Sequence, residues 1–134
     1  MPSTATLLVQ DVMTPSPKTI EVTQSLAEAR RLMKKIGARH LPVVDDGELV
    51  GVLSERDVAL LATHAEEDVA VGEAMSRAPW TVTPTTPVEV AARHMARRKL
   101  GSAVVVDDEE KVVGIFTSTD GLRTLAELLA KQAE

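Results

Sequence analysis

Two short apolar runs facing each other across a polar turn organise the chain. His40-Leu41-Pro42-Val43-Val44-Asp45 and Glu48-Leu49-Val50-Gly51-Val52-Leu53 flank Asp46-Gly47, and an Asp-Gly turn between β-branched runs predicts a tight hairpin. Ser54-Glu55-Arg56-Asp57 follows at once. It offers a hydroxyl to cap bare backbone N–H groups and, three residues on, an acid for the first helical turn, so a helix is predicted from about Glu55 to Thr63. The pattern then recurs. Ser102 to Val106, a turn one residue longer, Val112 to Phe116 and Thr117-Ser118-Thr119-Asp120 repeat strand, turn, strand and helix start. Upstream, Met13 maps to Met75, Thr19 to Thr81, Arg31 to Arg93 and Met33 to Met95, each displaced by 62 positions; after the turn the displacement is 63, as in Gly51 to Gly114 and Asp57 to Asp120. An internal duplication sets the architecture.

The remaining patterns fill in each copy. Val9 to Met13 reads as a single helical turn ended by Thr14-Pro15-Ser16-Pro17, and Thr19 to Val22 alternates as a short strand. Ser25 caps a helix over Leu26 to Ile36, with Glu28 completing a capping box. Leu26, Ala29, Leu32, Met33 and Ile36 form its predicted buried stripe, Arg30, Arg31, Lys34 and Lys35 its wet side, and Gly37 its stop. The acidic Glu66-Glu67-Asp68 connects the halves. Val71 to Met75 restarts the cycle, and Trp80-Thr81-Val82 mirrors the first short strand. Pro87 opens a helix with Val88, Ala91, Ala92, Met95 and Leu100 inward and Arg93, Arg97, Arg98 and Lys99 outward. Asp120 to about Lys131 forms the last helix, with Leu122, Leu125, Leu128 and Leu129 on one side. The class is α/β in the α+β sense, each half β-α-β-β-α after a lead-in turn. The halves are expected to pack sheet to sheet about a pseudo-twofold axis. The boundaries are a flexible arm over residues 1–7, one repeat over 8–66 and a second over 67–134.

Composition narrows the function. The 134 residues carry a formal charge of −5 and no cysteine. Disulfides, thiolate metal sites and cysteine nucleophiles are thereby excluded, and duplex DNA is disfavoured because that mode needs a basic face. Trp80 and Phe116 are the only aromatic residues besides histidine, too few for a single-strand stacking platform. No leader or membrane-length apolar run is visible, so a cytoplasmic location is expected. His64 and His94 read as surface residues on helices, and three scattered histidines make no zinc site. Ser54, His40 and Asp57 share the letters of a nucleophilic triad without an elbow or oxyanion hole, so no catalytic residue is assigned.

At this point the chain resembles a known family, the tandem cystathionine-β-synthase-type (CBS) domain pairs. The resemblance spans about Leu8 to Leu129. It rests on Val12-Met13 and Ala74-Met75, on Leu41-Pro42-Val43-Val44-Asp45 and Val104-Val105-Val106-Asp107, and on Gly-x-x-[Ser/Thr]-x-x-Asp at Gly51 to Asp57 and Gly114 to Asp120. It implies a non-enzymatic regulatory module, an energy sensor in type. Such a module binds AMP, ADP, ATP or S-adenosylmethionine between its repeats, requires no cofactor, forms a homodimer, and has an unidentified protein partner to read its state. Carried over by position, Asp57 and Asp120 would hold the ribose diol, with Ser54, Arg56, Thr117 and Thr119 beside the sugar or phosphate. The backbone around Thr19, Ile20, Thr81 and Val82 would face the adenine edge, and Arg39 and His40, leading into the strand at Pro42 that also lines the site, would meet phosphate. A carboxylate suits a cis-diol because it accepts two hydrogen bonds. The plain alternative is that both acids and hydroxyls only cap helices, as in an interaction module with empty clefts. The second repeat has Gly101-Ser102-Ala103-Val104 where the first has Arg39-His40-Leu41-Pro42, so unequal sites are expected.

Overall fold

A computed structural model of the protein describes residues 7–61 and 69–133. It is a mixed α+β fold with two four-stranded sheets. In chain order the elements are α1 (Val9–Val12), β1 (Thr14–Pro15), β2 (Ile20–Glu21), α2 (Leu26–Ile36), β3 (His40–Asp45), β4 (Glu48–Ser54) and α3 (Glu55–Leu61). There follow α4 (Val71–Ala74), β5 (Ser76–Arg77), β6 (Thr81–Val82), α5 (Val88–Arg98), β7 (Ser102–Val106), β8 (Val112–Thr117) and α6 (Ser118–Gln132). His64, the acidic connection Glu66-Glu67-Asp68, the predicted end of α3 at Thr63 and the arm before Leu7 lie outside the described residues.

Two compact units result, one of Pro17–Pro79 and the other of the segment ending at Ser16 together with the chain from Trp80 onward. These are called the first and second units below. Their sheets run β2-β3-β4-β5 and β1-β8-β7-β6, so the lead-in segments are exchanged. α1 and β1 open the first repeat but belong to the second unit, and α4 and β5 open the second repeat but complete the first. Thr14-Pro15, expected only to end the helical turn, also pairs with Ile115 and Gly114 as an edge strand. A proline is tolerated there because an edge leaves one side of the strand without ladder bonds.

A glycine on each central hairpin makes this exchange possible. A Cβ at Gly51 would lie 2.5 Å from the Met75 sulfur and 2.7 Å from the Ser76 carbonyl oxygen, and one at Gly114 would meet the Met13 side chain. The repeated lead-in methionines therefore pack over the bare backbone of β4 and β8.

The hairpins form as predicted. Asp46 and Gly47 both have positive φ, 53° and 85°, as the turn matching strand twist requires. In the longer turn Asp107 Oδ1 accepts from the Glu109 and Lys111 amides at 2.8 and 2.9 Å. The Ser25–Glu28 capping box is also present, each amide meeting the other's side chain at 3.1 Å, and these bonds hold the Glu28 carboxyl below its ordinary range.

The buried stripes are narrower than the sequence suggests. In α2 the buried residues are Leu26, Ala27, Ala29 and Met33, whereas Leu32 is half-buried and Ile36 exposed. In α5 only Ala91 and Met95 are buried, Val88 being half-covered and Ala92 exposed. Each helix lies on its sheet along the i, i+4 line through its small residues, which leaves flanking apolar positions uncovered. α6 begins at Ser118 rather than Asp120, because Thr117 caps it.

Candidate ligand-binding site at the strand-to-helix junctions

In each unit the end of the second hairpin strand runs directly into a helix, and there the motif residues converge. Ser54 pairs with His40 across β3 and β4, and Thr117 with Ser102 across β7 and β8. The helix starts are tied back to the sheet as well: the Glu55 amide donates to the Arg39 carbonyl at 2.8 Å, and the Ser118 amide to the Gly101 carbonyl at 3.0 Å.

The hydroxyl and the acid form a reciprocal cap in both copies. Asp57 Oδ2 accepts from the Ser54 amide at 2.9 Å while Ser54 Oγ accepts from the Asp57 amide at 3.0 Å. Asp120 Oδ2 accepts from the Thr117 amide at 2.9 Å and from Thr117 Oγ1 at 3.1 Å, and Thr117 Oγ1 accepts from the Asp120 amide at 3.2 Å. Capping is therefore a real function of all four side chains, worth about 1 kcal/mol each. It uses only one oxygen of each carboxylate.

The second oxygen separates the copies. Asp120 Oδ1 accepts from Arg123 at 3.1 Å, and the carboxylate is 4% exposed. Asp57 is half-buried, and its Oδ1 has no hydrogen-bond partner among the described residues. Sequence reasoning passed over Arg123, although its signal was present: it stands three residues after Asp120, where the first repeat has Leu60.

The remaining predicted site residues fall at different levels. Arg39, Arg56, Thr19, Thr81 and Thr119 are exposed, whereas Ile20, Val82 and Pro42 are buried. Ile20 pairs with Val43, three positions along β3 from His40 and so about 10 Å from the junction. Thr81 pairs with Val104, two positions along from Ser102. His40 is half-buried, and burial, opposed by the nearby Asp57 carboxylate and reinforced by Arg39, holds its imidazole below the ordinary histidine range. At neutral pH the standing positive charge before Pro42 is therefore Arg39 alone, not an Arg39–His40 pair.

His94, expected on the open surface, is half-buried with its ring stacked on Trp80, centroids 3.9 Å apart and planes 21° from parallel. Among the described residues no group of three or more His, Cys, Asp or Glu side chains is placed to hold a metal ion, and no helix is long and apolar enough to cross a membrane.

Comparison with known proteins agrees with this fold. The CBS domain family matches residues 9–63 and 71–127. The chain is 35% identical over 114 residues to L-aspartate semialdehyde sulfurtransferase of Methanocaldococcus jannaschii, which covers 84% of this chain but 22% of the relative. It thus spans less than a quarter of that enzyme's length. Among solved structures, a CBS domain pair in complex with 5′-methylthioadenosine and S-adenosyl-L-methionine superposes with a TM-score of 0.83 at 33% identity, covering 90% of this chain and 96% of that one. The protein CBSX2 of Arabidopsis thaliana, in complex with AMP, gives 0.77 at 29% identity over 91% and 98% of the two chains. With both repeats matched across most of its length, this chain belongs to the CBS domain family as a tandem pair.

Proposed function

We propose that the protein is a regulatory module that binds an adenosine-containing ligand, AMP, ADP, ATP or S-adenosylmethionine, through the strand-to-helix junctions of its repeats. The observation that carries this reading is Asp57, a half-buried carboxylate fixed through one oxygen by its own helix cap while the other has no protein partner among the described residues. A fixed carboxylate with a spare acceptor suits a ribose hydroxyl, since its orientation costs nothing further on binding. Two relatives of the same fold carry adenosine compounds, which supports the ligand class. Membership of the CBS-pair family fits a regulatory role, and a cytoplasmic location belongs to the same reading.

Isothermal calorimetry with AMP, ADP, ATP and S-adenosylmethionine tests it. Heat saturating below millimolar ligand is expected, with Asp57→Ala weakening affinity about thirtyfold, the worth of about 2 kcal/mol for charge-assisted bonds. No heat and no thermal shift with all four ligands would leave an interaction module with empty sites.

Self-association is part of the proposal. Leu122, Leu125 and Leu129 are 67%, 50% and 55% exposed at a spacing that puts them on one face of α6, and three bare leucines in a row mark an interaction surface. A second copy of the chain is the proposed occupant, giving a homodimer. Sedimentation at tens of micromolar should show a dimer that Leu125→Glu splits, and a monomer in the unaltered protein would count against it.

A further inference from the structure

Resting on the adenosine-ligand reading above, we infer that Arg123 is an internal occupant of the second repeat's acid, so that the protein binds one ligand per chain through Asp57 and holds Asp120 closed. The two acids stand at equivalent positions on equivalent helix starts, yet only Asp120 has both oxygens engaged among the described residues. Asp120 has both oxygens engaged, Oδ2 by Thr117 and Oδ1 by the Arg123 guanidinium. Its 4% exposure against 58% for Arg123 describes a buried carboxylate whose cation reaches it from the solvent side. In the first repeat the position of Arg123 is Leu60, which is 70% exposed and offers no donor. Asp57 therefore keeps its acceptor. A diol approaching Asp120 must first displace an ionic hydrogen bond, whereas one approaching Asp57 displaces water. Gly101 in place of Arg39 acts in the same direction, because the cation that stands at the second junction, Arg123, is already engaged by Asp120.

The test exchanges the two residues and counts ligands. With AMP and with S-adenosylmethionine as probes, calorimetry of the full chain should give one ligand per chain. Arg123→Leu should raise the stoichiometry to two, and Arg123→Gln, which removes the charge with less change of bulk, should do the same more weakly. Leu60→Arg, an exposed position with no packing to lose, should weaken the existing site by about tenfold, as expected for a competing ionic bond. Circular dichroism and thermal melting confirm that each variant is folded. Two equivalent ligands in the unaltered protein would overturn the inference while leaving the adenosine reading intact. So would an Arg123→Leu protein still binding one, or a Leu60→Arg protein of unchanged affinity. No binding of either probe by any variant would overturn both.

Discussion

Beneath the helix that follows each hairpin, the first unit buries Leu53 and Val58 in one core cluster, and the second buries Phe116 where the equivalent helix position is Gly121. A Cβ built on Gly121 would lie 3.7 Å from the Phe116 ring. The large ring and the missing side chain are thus one solution to a volume that leucine and valine fill in the other copy. Duplicated backbones constrain the sum of side-chain volumes at a contact more tightly than they constrain each residue. The acids differ in the opposite sense: identical residues, Asp57 and Asp120, have different hydrogen-bond partners because of a neighbour one turn away. The core has conserved its outcome with changed residues. The junction has kept its acid and changed the partners of that acid.

The largest effect should come from the glycines under the exchanged methionines. Gly51→Ala puts a methyl against the Ser76 backbone oxygen, which lies in a paired strand and does not yield, as well as against Met75. For Gly114→Ala the three nearest atoms all belong to the Met13 side chain, which can rotate away. Overpacking of this kind costs about 2–3 kcal/mol where backbone must move and about 1 kcal/mol where a flexible side chain gives. Urea denaturation of the two variants measures the difference, and equal losses would show that the two exchanges are supported alike.

Next in size is the Phe116 and Gly121 pair. Phe116→Leu copies the first unit at one of the two positions and leaves a void, costing about 1–2 kcal/mol. Adding Gly121→Val should return about half of that, with a coupling energy of about 0.5–1 kcal/mol in the double-mutant cycle. Strict additivity would break the claim that the two positions share one volume.

How far the sequence carried these conclusions follows from what kind of interaction each rests on. The hairpins, the capping boxes and the duplication were readable because each depends on residues within a few positions of one another: Asp46-Gly47, Ser25 with Glu28, Ser54 with Asp57. The exchange of β1 and β5 between repeats was not, since nothing local in Thr14-Pro15 or Ser76-Arg77 says which sheet supplies the partner. The inward side of α2 and α5 was read too broadly for a related reason. Periodicity marks an apolar arc, but only the sheet beneath decides that Met33 is covered and Ile36 is not. At the junction, Asp57 and Asp120 were found through their motif, whereas Arg123 lies outside it and gains meaning only from the direction in which its side chain reaches. His94 was misplaced because its partner Trp80 is distant in sequence.

Smaller effects belong to backbone positions that the copies fill differently. α2 ends on Gly37 with φ 69°, and α5 ends on Lys99 with φ 57° in the same left-handed conformation. Nothing lies within 4 Å of a Cβ at Gly37, so the cost of a side chain there is conformational rather than steric contact with neighbours. Lys99→Gly should therefore stabilise by about 0.5–1 kcal/mol and Gly37→Ala destabilise by about as much. Gly121→Ala, inside a helix and with room for its methyl, should also stabilise by about 0.5–1 kcal/mol. Chemical denaturation midpoints read all three, and a destabilised Lys99→Gly protein would mean that the lysine side chain contributes more than its backbone strain costs.

The last contrast is a slope with pH rather than a step. His40 is half-buried in the first unit, and Ser102 holds the matched position in the second. Because burial lowers the imidazole below its ordinary value in the folded protein, the unfolded chain takes up the proton first as pH falls. The stability associated with neutral His40 is therefore fully present above about pH 6.5, the ordinary histidine value, and is lost as pH falls from there through the lowered folded value. Carboxylates begin to titrate only near pH 5 and below, so denaturation midpoints between pH 7.5 and 5.5 isolate the histidines. His40→Ser, which copies the second unit, should flatten the curve in that window. An unchanged slope would show that the imidazole is solvated in both states. A phosphate seated beside His40 would act in the reverse sense, drawing a proton onto the ring. AMP binding near pH 6.5 should then take up protons, visible as a dependence of the calorimetric heat on the ionisation enthalpy of the buffer, and that dependence should vanish in His40→Ser.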